Sequence, residues 1–215
     1  KTTVFNLITG LETPDAGELY FRHQYITRCP AHEIVRLGIG RTFQNTRLLG
    51  HLSVLDNVKM AYHGTIAYNL LHAALRLPRF HRVERDIEIK SRQFLELVGL
   101  QDQAEWRADG LPYGQRRKLE LARALATGAA LLLLDEPAAG LNPNETAEMA
   151  RLIRMIRDEF RVTVLLIEHD MGLVMGLCDR VVVLNFGRVI ATGTPAAVRA
   201  NPAVVEAYLG KPKQL

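Results

Sequence analysis

The sequence predicts an α/β fold: a parallel sheet covered by helices, with a mainly helical subdomain inserted into that layer. Two observations carry this expectation. Continuous apolar runs at residues 129–134 and 162–167 have the length of strands buried on both faces. Helical patterns alternate with them, which is how a helix-covered parallel sheet is written in sequence. The stretch from about 48 to 127 instead carries mainly helical patterns. Residues 1–47 and 128–215 are therefore expected to form an α/β core and 48–127 the insertion, all within one domain of 215 residues.

The elements follow in order. Lys1-Thr2-Thr3 runs straight into the helical pattern Val4, Phe5, Leu7, Ile8, which ends at Gly10. A helix that opens at residue 1 reads as cut, with the strands that would feed it missing. Residues 38–43 form a strand candidate. Ser53-Val54-Leu55-Asp56 resembles a capping box and starts a helix through about Met60. Residues 64–80 read as irregular or weakly helical. Residues 82–98 read as a helix with Phe94, Leu95 and Val98 apolar and Gly99 as its C-cap. A basic, alanine-rich helix spans 112–126, with Pro112 at its first position and Gly128 ending it. A strand at 129–134, a helix at 144–160 and a second buried strand at 162–167 come next. Residues 181–184 and 189–192 flank Asn185-Phe186-Gly187-Arg188 as a hairpin. Thr194-Pro195 and Asn201-Pro202 each set a capping residue before a proline, so two short helices finish the chain.

Composition narrows the function. Apolar residues make up 48%, enough for a packed core. No apolar run approaches the eighteen or so residues needed to span a bilayer, and no charged segment followed by an apolar one opens the chain as a leader would. Cys29 and Cys178 are not spaced as a metal pair and read as reduced thiols. The net charge of +4 invites a nucleic-acid reading. Yet Arg76, Arg79, Arg82, Arg85, Lys90 and Arg92 are interleaved with Glu84, Asp86 and Glu88, as on a solvated helix face. No aromatic residues stand among them to stack bases, so nucleic acid is not expected as a partner.

The chemistry concentrates in five places. Leu111-Pro112-Tyr113-Gly114-Gln115 feeds a glycine turn into the basic helix, whose N-terminus suits an anion. The run of leucines at 131–134 delivers Asp135 and Glu136 to a strand's C-terminal edge, where open α/β sheets place their ligands. Asp135 suits a Mg²⁺ shell, and Glu136 suits orienting or deprotonating water. Lys1-Thr2-Thr3 matches the end of the phosphate loop G-x-x-x-x-G-K-[ST], with Lys1 on the β/γ oxygens and Thr2 on Mg²⁺. Gln44, after the strand candidate, offers a neutral amide to both the attacking water and the metal. His169 follows the second strand within Glu168-His169-Asp170.

Together these motifs resemble the ATP-binding cassettes of ABC transporters. The match runs along the whole chain, less the glycine loop and the strands before it, so the truncation falls within the Walker A motif. The resemblance implies a P-loop NTPase fold of the ABC type. It assigns 111–115 to the signature motif, Asp135-Glu136 to Walker B, Gln44 to the Q-loop, Ala138-Ala139-Gly140-Leu141-Asn142-Pro143 to the D-loop, and His169 to the switch histidine that holds the γ-phosphate and keeps water and Glu136 aligned. Three positions depart from the family pattern. Pro112 replaces a serine whose hydroxyl touches the γ-phosphate, Tyr113 replaces a common glycine, and Asn142 stands where aspartate is frequent.

Gly40-Arg41-Thr42-Phe43-Gln44-Asn45-Thr46-Arg47-Leu48, Glu168-His169-Asp170-Met171-Gly172-Leu173-Val174-Met175 and the ending from Asn201 to Gly210 are similar to the ATP-binding subunits of branched-chain amino-acid importers. That likeness implies a motor subunit peripheral to the cytoplasmic face of the inner membrane. Two cassettes would sandwich two MgATP, each held by Lys1, Thr2, Thr3 and Glu136 of one chain and by Gly114 and Gln115 of the other, with Asn142 also at the nucleotide and making a neutral contact across the dimer where aspartate would make a charged one. Two membrane permeases would contact the helical segment after Gln44, and an external solute-binding protein would complete the assembly. The alternatives are a cassette for urea or amide import or for lipid or glycolipid export, or a non-hydrolysing fragment. With its glycine arc missing, a chain starting at Lys1 is expected to bind ATP weakly.

Overall fold

A computed structural model describes residues 1–42, 48–64 and 78–209. Gln44 and most of the irregular stretch expected at 64–80 lie outside these residues. The chain divides into two compact units, Thr2–Ile167 and Glu168–Leu215 together with Lys1.

The larger unit opens with helix α1 (Thr2–Ile8), which buries Phe5 and ends at Gly10, a left-handed glycine with φ +66°. A Cβ at Gly10 would stand 2.5 Å from the Cys29 carbonyl, so only glycine lets the chain turn there. A two-residue hairpin, β1 (Tyr20–Phe21) and β2 (Gln24–Tyr25), and helix α2 (Ala31–Arg36) follow. None of these three has the alternation or length that sequence patterns register.

Strands β3 (Ile39–Arg41), β4 (Leu131–Asp135) and β5 (Thr163–Ile167) form a parallel sheet in that order. Leu131 pairs with Ile39 on one side and Thr163 on the other, and the register carries Asp135 opposite Ile167. Phe5, Ile26, Ile34, Ile39 and Leu133 pack as one core cluster against this sheet. The α/β fold with a parallel sheet and covering helices is thus the one expected.

One strand corrects the sequence reading. Residues 162–167 were expected to be buried throughout, but β5 is an edge strand among the described residues and Leu165 is 40% exposed. A continuous apolar run encodes affinity for a core, not how many faces are covered.

Between β3 and β4 the described chain is helical. Helix α3 (Val54–Lys59) is capped by Ser53, whose hydroxyl accepts from the Asp56 N–H, and a 3₁₀ turn Met60–Gly64 extends it. Helix α4 (Pro78–Leu97) starts four residues before the apolar pattern does, at a proline suited to a first turn. Its polar face carries Arg92 paired with Glu88 and Glu105 at 2.9 Å each, the solvated surface expected there. Helix α5 (Tyr113–Ala126) packs with α3 and α4, and Leu119, Leu95 and Val58 on these three helices are fully buried. Pro112 is its N-cap rather than its first residue, with φ −54°, ψ 154° and no side-chain acceptor to offer. Helix α6 (Pro143–Phe160) links β4 to β5.

The smaller unit holds helix α7 (Met171–Leu177), the antiparallel hairpin β6 (Val181–Asn185) and β7 (Arg188–Gly193), and helices α8 (Pro195–Arg199) and α9 (Pro202–Leu209). Val183, Val198 and Val204 form its core. The hairpin and both terminal helices match expectation; α7 was not foreseen.

Candidate functional site

The site in the larger unit is built around the C-terminal end of β4. Three leucines, Leu132, Leu133 and Leu134, have no exposed surface and anchor the strand, which fixes where Asp135 emerges. Asp135 is itself 2% exposed. A carboxylate so buried requires a cation or several donors. Arg41, at the end of the neighbouring strand, supplies the cation: its Nη2 lies 3.2 Å from Asp135 Oδ2, and its side chain is 6% exposed. The second guanidinium nitrogen, Nη1, donates to Asn6 Oδ1 at 2.8 Å and Thr9 Oγ1 at 3.2 Å, both on the chain of α1 and its exit. The guanidinium also stands 5.5 Å from the Phe5 ring centroid. Thr42 adds its backbone N–H to the Leu133 carbonyl and receives the Asp135 N–H on its hydroxyl.

Arg41 therefore ties together α1, which begins at Thr2, the end of β3, which leads to Gln44, and Asp135. These are the three elements that carry the expected metal ligands. Sequence reading placed Arg41 in the motif before Gln44 but gave it no role. The signal available was a basic and an acidic residue each ending an apolar strand candidate.

Asp135 and a threonine hydroxyl on the first turn of α1 are hard oxygen donors of the kind Mg²⁺ takes. An ion pair through Oδ2 leaves the other carboxylate oxygen for a cation. The donor chemistry thus fits the metal, although no group of three or more His, Cys, Asp or Glu among the described residues forms a ready-made metal cage. A nucleotide's phosphates and water would have to complete such a shell.

Glu136 adopts φ +49°, a left-handed conformation that few non-glycine residues hold. Its N–H donates to the Ile167 carbonyl at 2.9 Å, and its own carbonyl accepts from Ala139 at 3.1 Å. Pro137 disfavours right-handed continuation at the residue before it. The chain thus turns sharply at Glu136, which is half-buried just past the C-terminal end of β4.

The segment leaving Glu136 reaches Asn142, which caps α6. Asn142 Oδ1 accepts from the N–H groups of Asn144 and Glu145 at 3.0 Å each, and Glu145 Oε2 accepts from the Asn142 N–H at 2.9 Å, completing a capping box. Asn142 is exposed while it does this, so capping and a contact beyond the chain are compatible. The first turn of α5 lies beside this segment: a Cβ at Gly114 would meet Glu145 Oε1 at 2.8 Å. Gln115 is less available than expected, since its Oε1 is buried with no hydrogen-bond partner among the described residues.

Near β3 and α5, a cleft of about 360 Å³ is lined by Arg41, Thr42, Met60, Ala61, Glu120, Arg123, Ala124 and Thr127. Burial pushes the Arg123 guanidinium below its usual pKa, against the opposing pull of Glu120.

Thr2 and Thr3 are exposed on the first turn of α1. Lys1 and His169 belong to the smaller unit. The His169 imidazole is 66% exposed, with Nδ1 3.9 Å from Glu168 Oε2. The Glu168 carboxylate turns back to accept from the His169 and Asp170 N–H groups at 3.0 and 3.4 Å, and Asp170 caps α7 by accepting from Leu173.

Comparison with known proteins gives a consistent picture. The model of the ABC transporter family matches residues 1–139, and that of the branched-chain amino acid ATP-binding cassette transporter matches residues 188–213. The high-affinity branched-chain amino acid transport ATP-binding protein LivG of Escherichia coli K12 is 44% identical over 98% of this chain and 83% of its own length. BraF of Pseudomonas aeruginosa, with the same description, is 46% identical over the same shares. A crystallised ATP-binding cassette of an ABC transporter superposes with a TM-score of 0.82 at 29% identity, covering 97% of this chain and 83% of that one. A buried acidic strand end next to a strained glutamate, on this fold and with these relatives, makes the chain a member of the ABC transporter family, an ATP-binding cassette with ATPase chemistry.

Proposed function

We propose that this cassette is the ATP-hydrolysing motor of an importer for branched-chain amino acids. The observation that carries the substrate class is the 44–46% identity to LivG and BraF over 98% of the chain, joined by the match of residues 188–213. In this reading Lys1 and Thr3 bind phosphate oxygens, and Thr2, Gln44 and Asp135 hold Mg²⁺. The ion would supply charge neutralisation on the β- and γ-phosphates. Glu136 orients the attacking water and draws its proton, and His169 holds the γ-phosphate. Gly114 and Gln115, at the positive end of α5, meet the nucleotide of a second cassette.

Among the described residues no helix is long and apolar enough to cross a membrane. The reading places the cassette on the cytoplasmic face of the inner membrane against two permeases, with an external binding protein delivering solute. The cleft beside Arg41 and Arg123 borders the segment that leads to Gln44, which supports permease contact near that residue.

A relative described as the lipopolysaccharide export ATP-binding protein LptB of Acidithiobacillus ferridurans is 34% identical over the whole chain, so lipid export is the rival. The test is reconstitution of the natural full-length protein with its co-purifying membrane subunits and binding protein in proteoliposomes loaded with MgATP. Uptake of labelled leucine, isoleucine or valine is expected. Uptake of urea alone, or extraction of lipid, would overturn the substrate class.

A further inference from the structure

The first turn of α5 is held in an unusual way. Pro112 gives it no side-chain acceptor, so nothing caps its leading N–H groups from the N-cap position. The segment leaving Glu136 and the start of α6 pack beside it instead. Gly140, at φ +78°, sits under the Tyr113 ring so closely that a Cβ would stand 3.0 Å from Tyr113 Cε1. A Cβ on Gly114 would meet Glu145 Oε1 at 2.8 Å and Leu141 Cδ2 at 3.6 Å. One turn further along, Lys118 Nζ pairs with Glu148 Oε1 at 2.6 Å.

Tyr113 itself is braced by Arg117, whose guanidinium carbon lies 5.2 Å from the ring centroid. Arg117 is buried and paired with Glu120 at 3.0 Å. Tyr113 nonetheless remains 43% exposed. A large ring at a helix start, half in solvent and laid on a left-handed glycine of another loop, gives little core packing. Its position instead sets an aromatic ring between the turn at Gly114 and the loop at Gly140.

We propose that Tyr113 is a positioning residue that locks segment 137–143 to the turn at Gly114. The loop that begins at a chain's own Glu136 and the turn that reaches the partner's nucleotide then shift together. The inference rests on the two-cassette reading above. It makes occupancy of one nucleotide site felt at the other, and it gives a reason for an aromatic residue where the family commonly has glycine.

The test uses the natural full-length protein carrying Glu136→Gln, in which MgATP-driven dimerisation is followed by sedimentation. Tyr113→Ala is expected to raise the MgATP concentration for half-dimerisation by at least about tenfold, equivalent to about 1.4 kcal/mol. ATP affinity at protein concentrations too low for dimers should change less than about twofold. With Glu136 intact, the Hill coefficient for ATP hydrolysis should fall from above 1 to about 1. Tyr113→Phe should retain both properties, because the ring makes the contact. Gly140→Ala, which pushes a methyl into that ring, should behave like Tyr113→Ala. Unchanged dimerisation and cooperativity in Tyr113→Ala would overturn the proposal while leaving the dimer intact. No dimer in the Glu136→Gln parent would overturn the two-cassette reading, and this proposal with it.

Discussion

The neighbouring strands β4 and β5 end in opposite ways. Both are five-residue parallel strands, paired in register, and both hand over to acidic residues at the same edge of the sheet. At the end of β4 the carboxylate of Asp135 is buried and fastened through Arg41 to Asn6 and Thr9. After β5 the functional candidate, His169, stands two-thirds exposed, with its Nδ1 3.9 Å from Glu168 Oε2. The loops differ likewise. Asn142 caps the 18-residue helix α6 through a reciprocal box, whereas Asp170 caps the seven-residue α7 through a single bond. One strand end is built before any ligand arrives. The other keeps its histidine accessible.

That contrast can be broken by mutation. Arg41→Met should have the largest effect on stability, because it leaves the Asp135 carboxylate buried without its cation. The expected loss is about 3–5 kcal/mol in urea unfolding. A loss below about 1 kcal/mol would mean that the end of β4 is no more fastened than that of β5. Asn142→Ala removes the acceptor for two N–H groups and should cost about 1 kcal/mol in the same assay. His169→Ala should change stability by no more than about 0.5 kcal/mol, as for a side chain that is 66% exposed. Its ATP turnover should nevertheless fall about a hundredfold, the scale of losing one donor to a reacting phosphate. A large stability loss in His169→Ala would erase the comparison from the other side.

Much of this arrangement was legible in the sequence, for identifiable reasons. The leucines before Asp135 and the apolar run before Glu168 announced strands β4 and β5. The glycine turn into a basic helix announced α5. The Phe186-Gly187 turn announced the final hairpin. Arg41 was not legible, because its role exists only where α1, β3 and β4 meet, and no local pattern encodes that meeting. The exposure of β5 was hidden for a related reason: apolar composition is shared by central and edge strands. The β1–β2 hairpin and α2 were too short for periodicity to register. Pro112 fell one position earlier than expected, as an N-cap with no side-chain acceptor to offer.

The central claim is that the end of β4 is where ATP is hydrolysed, with Asp135 fixed for the metal and Glu136 for the water. Its most direct measurement is MgATP binding and single-turnover hydrolysis by Glu136→Gln in the natural full-length protein. The account predicts MgATP affinity within a few-fold of the parent and hydrolysis slowed by about a hundredfold or more, as for a lost general base. Turnover close to that of the parent would contradict it.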